Sequence, residues 1–210
     1  MNLSKDSIRI LCYGDSYTWG YVPATDHERY EPKKRWTGVL QDKLGGGYEV
    51  IEEGLNSRTI NTEDPRPDRE GRNGAEYLIP CLHSHIPLDL VVLMLGTNEL
   101  KDRFERSAEE ISKSLENLYI KQILKFADLI IISPPRIDLT KEYARERYAQ
   151  SLSKHVELEN EYERVANKNE TGFIKSSDYV SVGADGVHLD EANNRLLGEI
   201  VYEEVLRRLG

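Results

Sequence analysis

Two cysteines in 210 residues are too few for a disulfide framework. Cys12, in an apolar run, and Cys81, in a helix-like one, also lack the spacing of a metal site. Both read as buried free thiols of a protein in a reducing cytoplasm. Runs of Lys and Arg are missing too, and the formal net charge is −9. Binding along a phosphate backbone needs clustered cations, so nucleic acid is excluded as a partner. No apolar stretch approaches the length of a bilayer span. The polar N-terminus, residues 1–8, leads into about half a dozen apolar residues, too few for a signal-peptide core or a membrane segment. Neither export nor membrane attachment is expected. There is no internal repeat, linker or low-complexity tail, so residues 1–210 read as one globular domain.

What the sequence does contain is alternation. Short runs rich in β-branched residues at 8–13, 48–52, 88–95, 127–133 and, more weakly, 172–175 are separated by segments of helical period. This predicts an α/β fold with a parallel sheet covered by helices on both faces. The run at 88–95 is almost continuously apolar, as a central strand must be. Ser107 and Glu110 form a capping box ahead of Ile111, Leu115, Leu118, Tyr119, Gln122, Ile123 and Phe126, which fall at helical spacing. A charged segment at 140–167 predicts one exterior helix with a narrow stripe of Tyr148, Leu152, Val156, Glu159, Tyr162 and Ala166. A helix at 74–85 contains Pro80, which suits a first turn or a kink. Asp190 can cap a last helix that buries Leu196, Leu197, Ile200, Val201, Val205 and Leu209. Two long polar connections, 21–34 and 58–73, are of a length that is usually functional or lies at a subunit contact.

Four segments carry chemistry, and all fall at the carboxyl ends of predicted strands or in the C-terminal loop, where open α/β sheets bind ligands. Gly14-Asp15-Ser16 places a serine just after the first strand, although the same tripeptide also suits a plain turn braced by Asp15. Asp185-Gly186-Val187-His188 supplies a histidine with a carboxylate three residues away. A serine hydroxyl becomes a nucleophile when a base takes its proton, and an imidazole held by a carboxylate is the usual base near neutral pH. Gly96-Thr97-Asn98 can aim an amide NH₂ at the oxygen that turns negative during acyl transfer. The Gly54–Thr59 segment, containing Ser57, can add a backbone N–H. Trp19 suits a pocket wall or the core equally, and Arg58 is expected to be solvated or ion-paired rather than bound to a substrate anion. His27, His83, His85 and His155 lack a comparable setting.

These blocks, in this order, resemble the SGNH (GDSL-type) hydrolases. With residues 36–40, 50–55, 88–98 and 191–195 the likeness is to the bacterial arylesterase and acyltransferase branch. It covers most of 9–100 and 183–205, while 136–180 show no specific likeness. The resemblance implies a flavodoxin-like three-layer fold with strand order 2-1-3-4-5. It also implies ester hydrolysis through an acyl-serine, with Ser16 as nucleophile, Asp185 and His188 as its partners, and an oxyanion hole formed by the N–H groups of Ser16 and Ser57 and the Asn98 amide. Many members carry glycine where Ser57 stands, which leaves the main-chain donor but narrows the approach. Tyr17 stands where leucine is common, and with Trp19 and Val187 it is a candidate to line or flank the substrate pocket. Thr18 replaces the second glycine of a Gly-x-Ser-x-Gly elbow, so the α/β-hydrolase fold is rejected. The partners implied are a small ester and a water or alcohol acceptor, with homo-oligomers expected, and no metal or cofactor. Two other readings remain: a carbohydrate acetyl-esterase of this fold, and a non-catalytic flavodoxin-like module holding an anion or flavin.

Overall fold

The strand-forming runs pair as five parallel strands: β1 (Ile8–Gly14), β2 (Tyr48–Gly54), β3 (Leu90–Met94), β4 (Asp128–Ile132) and β5 (Gly172–Ile174). Their order is β2-β1-β3-β4-β5, as expected. The computed structural model describes residues 7–210, so the reading of the N-terminal segment falls largely on residues outside the described ones. The near-continuous apolar character of β3 has a simple cause. Leu90, Val92 and Met94 face one core while Val91, Leu93 and the following Leu95 face the other, and all are buried. Each such side chain contributes about 1.5–3 kcal/mol by leaving water, so a polar residue at either phase of the strand would cost a core contact.

The first core lies under α3 (Gly74–His85), α4 (Ala108–Leu115), the short α5 (Lys121–Ile123), α6 (Glu142–Tyr148) and α7 (Ser151–Lys168). The second lies under α2 (Trp36–Leu44) and α8 (Glu191–Leu209), joined by Tyr17 from the single-turn helix α1 (Ser16–Trp19). The capping box of Ser107 and Glu110 is present, as is the Asp190 cap on α8. Among the described residues no helix is long and apolar enough to cross a membrane.

Several expectations are corrected. The helix after Ser107 passes through a π turn at Glu116–Ile120, which rotates the stripe so that Leu118 is exposed while Ile120 is buried. The charged segment forms two helices, because the Asp102 carboxylate takes the Gln150 N–H at 3.0 Å and breaks the chain between α6 and α7. Past the break Leu152 and Val156 face solvent and His155, Leu158 and Val165 are buried, while Glu159, Tyr162 and Ala166 are buried as expected. Pro80 lies past the first turn, inside α3, so of the two expected places only the kink remains. On α8, Leu197, Val201 and Val205 are buried as expected, but Leu196 is exposed.

The order of strands reverses between β1 and β3, since β2 is added on one side and β4 and β5 on the other. That is the switch point at which an open α/β sheet leaves a crevice outside its carboxyl ends. Gly14 ends β1 and pairs with Met94 at the end of β3, so the loops leaving these two strands meet at one place.

Candidate active site

Ser16 opens α1. Asp15 caps that turn, its Oδ1 accepting the Tyr17 N–H at 3.0 Å. The turn lies directly on β2 because residue 54 is glycine: a Cβ there would come within 2.2 Å of the Trp19 nitrogen. Burial pushes the Asp15 carboxyl up to about 7, with Glu99 adding to the rise against the Tyr17 N–H, Lys101 and Arg58. Its other oxygen faces the Asn98 amide nitrogen at 3.3 Å. Asp15 therefore braces the loop, as its place beside Ser16 suggested.

The C-terminal loop turns back on itself through Gly186, whose φ is +77°. Asp185 Oδ1 accepts the N–H groups of Val187 and His188, each at 2.9 Å, and Oδ2 lies 2.6 Å from His188 Nδ1. Burial alone would raise the Asp185 carboxyl. The bond and charge of His188 and the two N–H groups outweigh it and hold the carboxyl below its ordinary value. With Nδ1–H committed to the carboxylate, the neutral ring presents its lone pair at Nε2, which lies 3.1 Å from Ser16 Oγ. Residues 172 positions apart thus meet in a buried hydrogen-bonded line. The Tyr21 ring stacks on His188 with centroids 4.2 Å apart, and this limits rotation of the imidazole.

Asn98 follows β3, in a short 3₁₀ turn at Asn98–Leu100. Lys101 Nζ donates to its Oδ1 at 2.5 Å, and its Nδ2 donates to the Arg58 carbonyl at 2.9 Å. An ammonium can only donate and a carbonyl can only accept, so these two contacts fix which way the amide points. Burial, followed by the charges of Arg103 and Arg66, pushes Lys101 down to about 7. Ser57 takes a positive φ of +64°, a backbone conformation that favours glycine. Its turn is closed by Arg58 N–H to Leu55 O at 3.0 Å, a bond in which the Ser57 N–H takes no part.

Ser16, Ser57, Asn98, Val187 and His188 line one cleft of about 530 Å³, its open mouth included, together with Tyr21, Tyr143 and Tyr148. Two candidates from the sequence are not in its lining. Tyr17 lies beneath it, buried, with its hydroxyl donating to the Val187 carbonyl at 2.6 Å. Trp19 packs beside Tyr21, under the Arg29 guanidinium. Arg58 is not solvated and, among the described residues, not ion-paired: it is buried, donates to the carbonyls of Gly14 and Glu53, and lies 4.2 Å over the Tyr13 ring. Sequence reasoning missed Tyr21, Tyr143, Tyr148, Lys101 and the arginines of the rim. The one signal available was the length of the polar connections, since 21–34 supplies Tyr21 and His27 and 58–73 supplies Arg66 and Arg69.

The model of the GDSL-like Lipase/Acylhydrolase family matches residues 12–196. The chain belongs to this family. It is a carboxylic ester hydrolase of the GDSL-like type. Among solved structures it is similar to a native aryl esterase of M. smegmatis, with 38% identity and a TM-score of 0.89 over 96% of this chain and 99% of that one. It is also similar to Est24, a carbohydrate acetylesterase from Sinorhizobium meliloti, with 33% identity and a TM-score of 0.90 over 96% and 100%. A carbohydrate acetylesterase family member from the same organism shares 35% identity, with a TM-score of 0.87 over 96% and 98%. No curated protein sequence matches the chain.

Proposed function

We propose that this GDSL-like enzyme hydrolyses small polar esters by acyl transfer through Ser16, with His188 as general base and acid and Asp185 as its orienting partner. The observation that carries the reading is the line from Ser16 Oγ through the imidazole to Asp185, with separations of 3.1 and 2.6 Å.

In the first half of the reaction the Ser16 oxygen bonds to the ester carbonyl carbon while its proton passes to His188 Nε2. The carbonyl π electrons move onto oxygen, giving a tetrahedral oxyanion. The N–H groups of Ser16 and Ser57 and the Asn98 amide hold that charge. Asn98 has one amide hydrogen committed to the Arg58 carbonyl at 2.9 Å, while the other faces Asp15 across a longer 3.3 Å. The second hydrogen, held by the longer contact, is the one the amide can share with the oxyanion. Collapse breaks the ester C–O bond, the leaving alkoxide takes the proton from His188, and an acyl-serine remains. Water then repeats the sequence, giving acid and free Ser16. Asp185 keeps Nδ1 protonated and offsets the imidazolium charge that forms in each half.

The lining supports a polar substrate, because Val187 is its lone aliphatic side chain. This favours the carbohydrate acetyl ester as a second reading beside the aryl ester. Tyr17 supports Val187 from below, and Trp19 acts at one remove, by steadying Tyr21. The free buried thiols Cys12 and Cys81 support a reducing, cytoplasmic setting.

The test is a panel of p-nitrophenyl esters of rising acyl length on the wild type and Ser16→Ala, with and without added alcohol. Ser16→Ala is expected to lose turnover and fluorophosphonate labelling while keeping its fold. Labelling that survives the substitution moves the nucleophile elsewhere. Acyl transfer would appear as a new ester of the added alcohol, and a product that is carboxylic acid alone removes it.

A further inference from the structure

The chain has 37 acidic against 28 basic residues, yet the cleft around Ser16 reverses that balance. Among the fifteen described residues that line it there are three arginines, Arg66, Arg69 and Arg147, with Lys101 beside them, and no aspartate or glutamate. Opposite charges nearby do not cancel them. The buried Asp64 carboxylate takes the Nε and Nη2 edge of Arg66 with both oxygens, which leaves the Nη1 side of Arg66 for a ligand, and it also lies 2.9 Å from Arg103, one negative charge shared by two positive ones. Glu146 pairs with Arg147 at 2.9 Å but from an exposed position, where an ion pair contributes little. Among the described residues, Arg69 and Lys101 form no ion pair, and the Lys101 ammonium is bonded to a neutral amide oxygen. Burial is the main cause of the downward push on Lys101, and the charges of Arg103 and Arg66 add to it.

The three arginines come from separate parts of the fold, Arg66 and Arg69 from the 58–73 connection and Arg147 from the end of α6, and converge on the mouth of one crevice. Guanidinium groups match oxyanions by geometry as well as by charge, since their paired N–H donors can bind two oxygens at once. A cleft of this kind with cationic walls attracts an anion from solution and orients it once bound.

We propose that the ester taken by this site carries an anionic oxygen group, a carboxylate or phosphate, which the Arg66, Arg69 and Arg147 side chains bind while Ser16 attacks the ester carbonyl. The inference rests on the esterase reading of the same site and adds the class of substrate to it.

The experiment compares matched pairs. On the alcohol side, 4-carboxyphenyl acetate is set against its neutral methyl ester analogue. On the acyl side, p-nitrophenyl hemiglutarate is set against p-nitrophenyl valerate. Each kcat/KM is divided by the rate of alkaline hydrolysis of the same compound, at low salt and in 0.5 M NaCl. A charged hydrogen bond corresponds to roughly a ten- to hundredfold preference. The anionic member is therefore expected to lead by at least about tenfold on one side, chiefly through KM, with the lead shrinking as salt screens it. The side that shows the preference locates the anion on the alcohol or on the acyl group. In the double variant Arg69→Gln, Arg147→Gln the anionic-to-neutral ratio is expected to fall about tenfold. Ratios at or below one on both sides, with neutral esters still turned over by the wild type and not by Ser16→Ala, overturn the anion proposal and leave the esterase standing. If no ester of either kind is turned over, both readings fall. A preference that is unchanged in the double variant removes the arginines from the assignment, and the wild-type salt dependence decides the matter even if that variant does not fold.

Discussion

Gly186 joins the two groups that must be oriented together, and replacing it with alanine tests whether the backbone itself sets their geometry. At φ +77° a Cβ would lie 2.5 Å from the Asp138 carbonyl oxygen and 2.9 Å from the Cβ atoms of Lys141 and Ala144. The left-handed conformation costs an L-residue roughly 1–2 kcal/mol, and crowding against backbone adds about 1–3 kcal/mol. Alanine recovers about 0.5–1 kcal/mol by restricting the unfolded chain. The net loss is about 1–4.5 kcal/mol, which for a chain of this size lowers Tm by roughly 2–18 °C.

The effect on rate is expected to exceed the effect on stability. Gly186 is held on both sides, its N–H donating to Gly183 O at 3.0 Å and its carbonyl accepting the Asp138 N–H at 2.9 Å. Relief of the clash must move one of these anchors and, with it, Asp185 or His188. A displacement of about 1 Å costs about a hundredfold in rate. Thermal unfolding by circular dichroism and turnover of p-nitrophenyl acetate well below Tm measure the two effects. Gly46→Ala is the control, because a Cβ there meets nothing within 4 Å, and it should leave the rate unchanged and raise stability by no more than about 0.5–1 kcal/mol. A Gly186→Ala enzyme that keeps wild-type Tm and rate would refute the idea that this loop has one backbone solution.

The same geometry sets two further outcomes. In Ser57→Gly, relief of about 1 kcal/mol of left-handed strain is nearly balanced by the extra freedom glycine gives the unfolded chain, about 0.5–1 kcal/mol. Tm should therefore hardly move, acetyl esters should react as before through the unchanged main-chain N–H, and longer acyl chains should gain on the p-nitrophenyl ester panel. A loss of acetyl turnover would show that the hydroxymethyl group itself has a role. In Asp185→Asn, the amide no longer fixes the His188 tautomer, and kcat is expected to fall by on the order of 10³–10⁴. Because the native environment lowers the Asp185 pKa, the carboxylate stabilises the fold at pH above the ordinary value of about 3.9, and that contribution is lost as pH falls through the lower folded value. The gap in Tm between wild type and Asp185→Asn should be full at pH 6 and close in strong acid; a gap that instead widens on acidification would reverse the sign of the argument.

Most of the fold was legible because it rests on short-range rules. The continuous apolar run of β3, the capping box at Ser107 and the Asp190 cap each express themselves within a few residues. The errors arise where a distant group intervenes. Nothing within 140–167 marks the break before Ser151, since it is Asp102 that captures the Gln150 N–H. A window along the chain reads a continuous charged helix there and assigns Leu152 and Val156 to a buried stripe. The π turn at Glu116–Ile120 acts similarly by adding a residue to one turn, which exposes Leu118 and buries Ile120 while Tyr119 and Ile123 stay buried.

The same division separates the chemistry of the site from its walls. Ser16, Asn98 and the Asp185–His188 pair stand out in sequence because each needs particular neighbours: a cap and a flat glycine beside Ser16, a turn directly after β3 for Asn98, a left-handed residue between Asp185 and His188. Tyr21, Arg66, Arg69, Tyr143 and Arg147 need no special neighbours, because what they require is a position in space. That position is set by the break between α6 and α7 and by two loops whose lengths alone were informative. A group that performs proton transfer must be held to within a fraction of an ångström, so its backbone is tightly specified and leaves a mark in the sequence. A group that only attracts a charged substrate tolerates looser placement, and many sequences satisfy it. Reaction type is therefore written in short motifs, whereas preference among esters is written in contacts that exist only once the chain has folded.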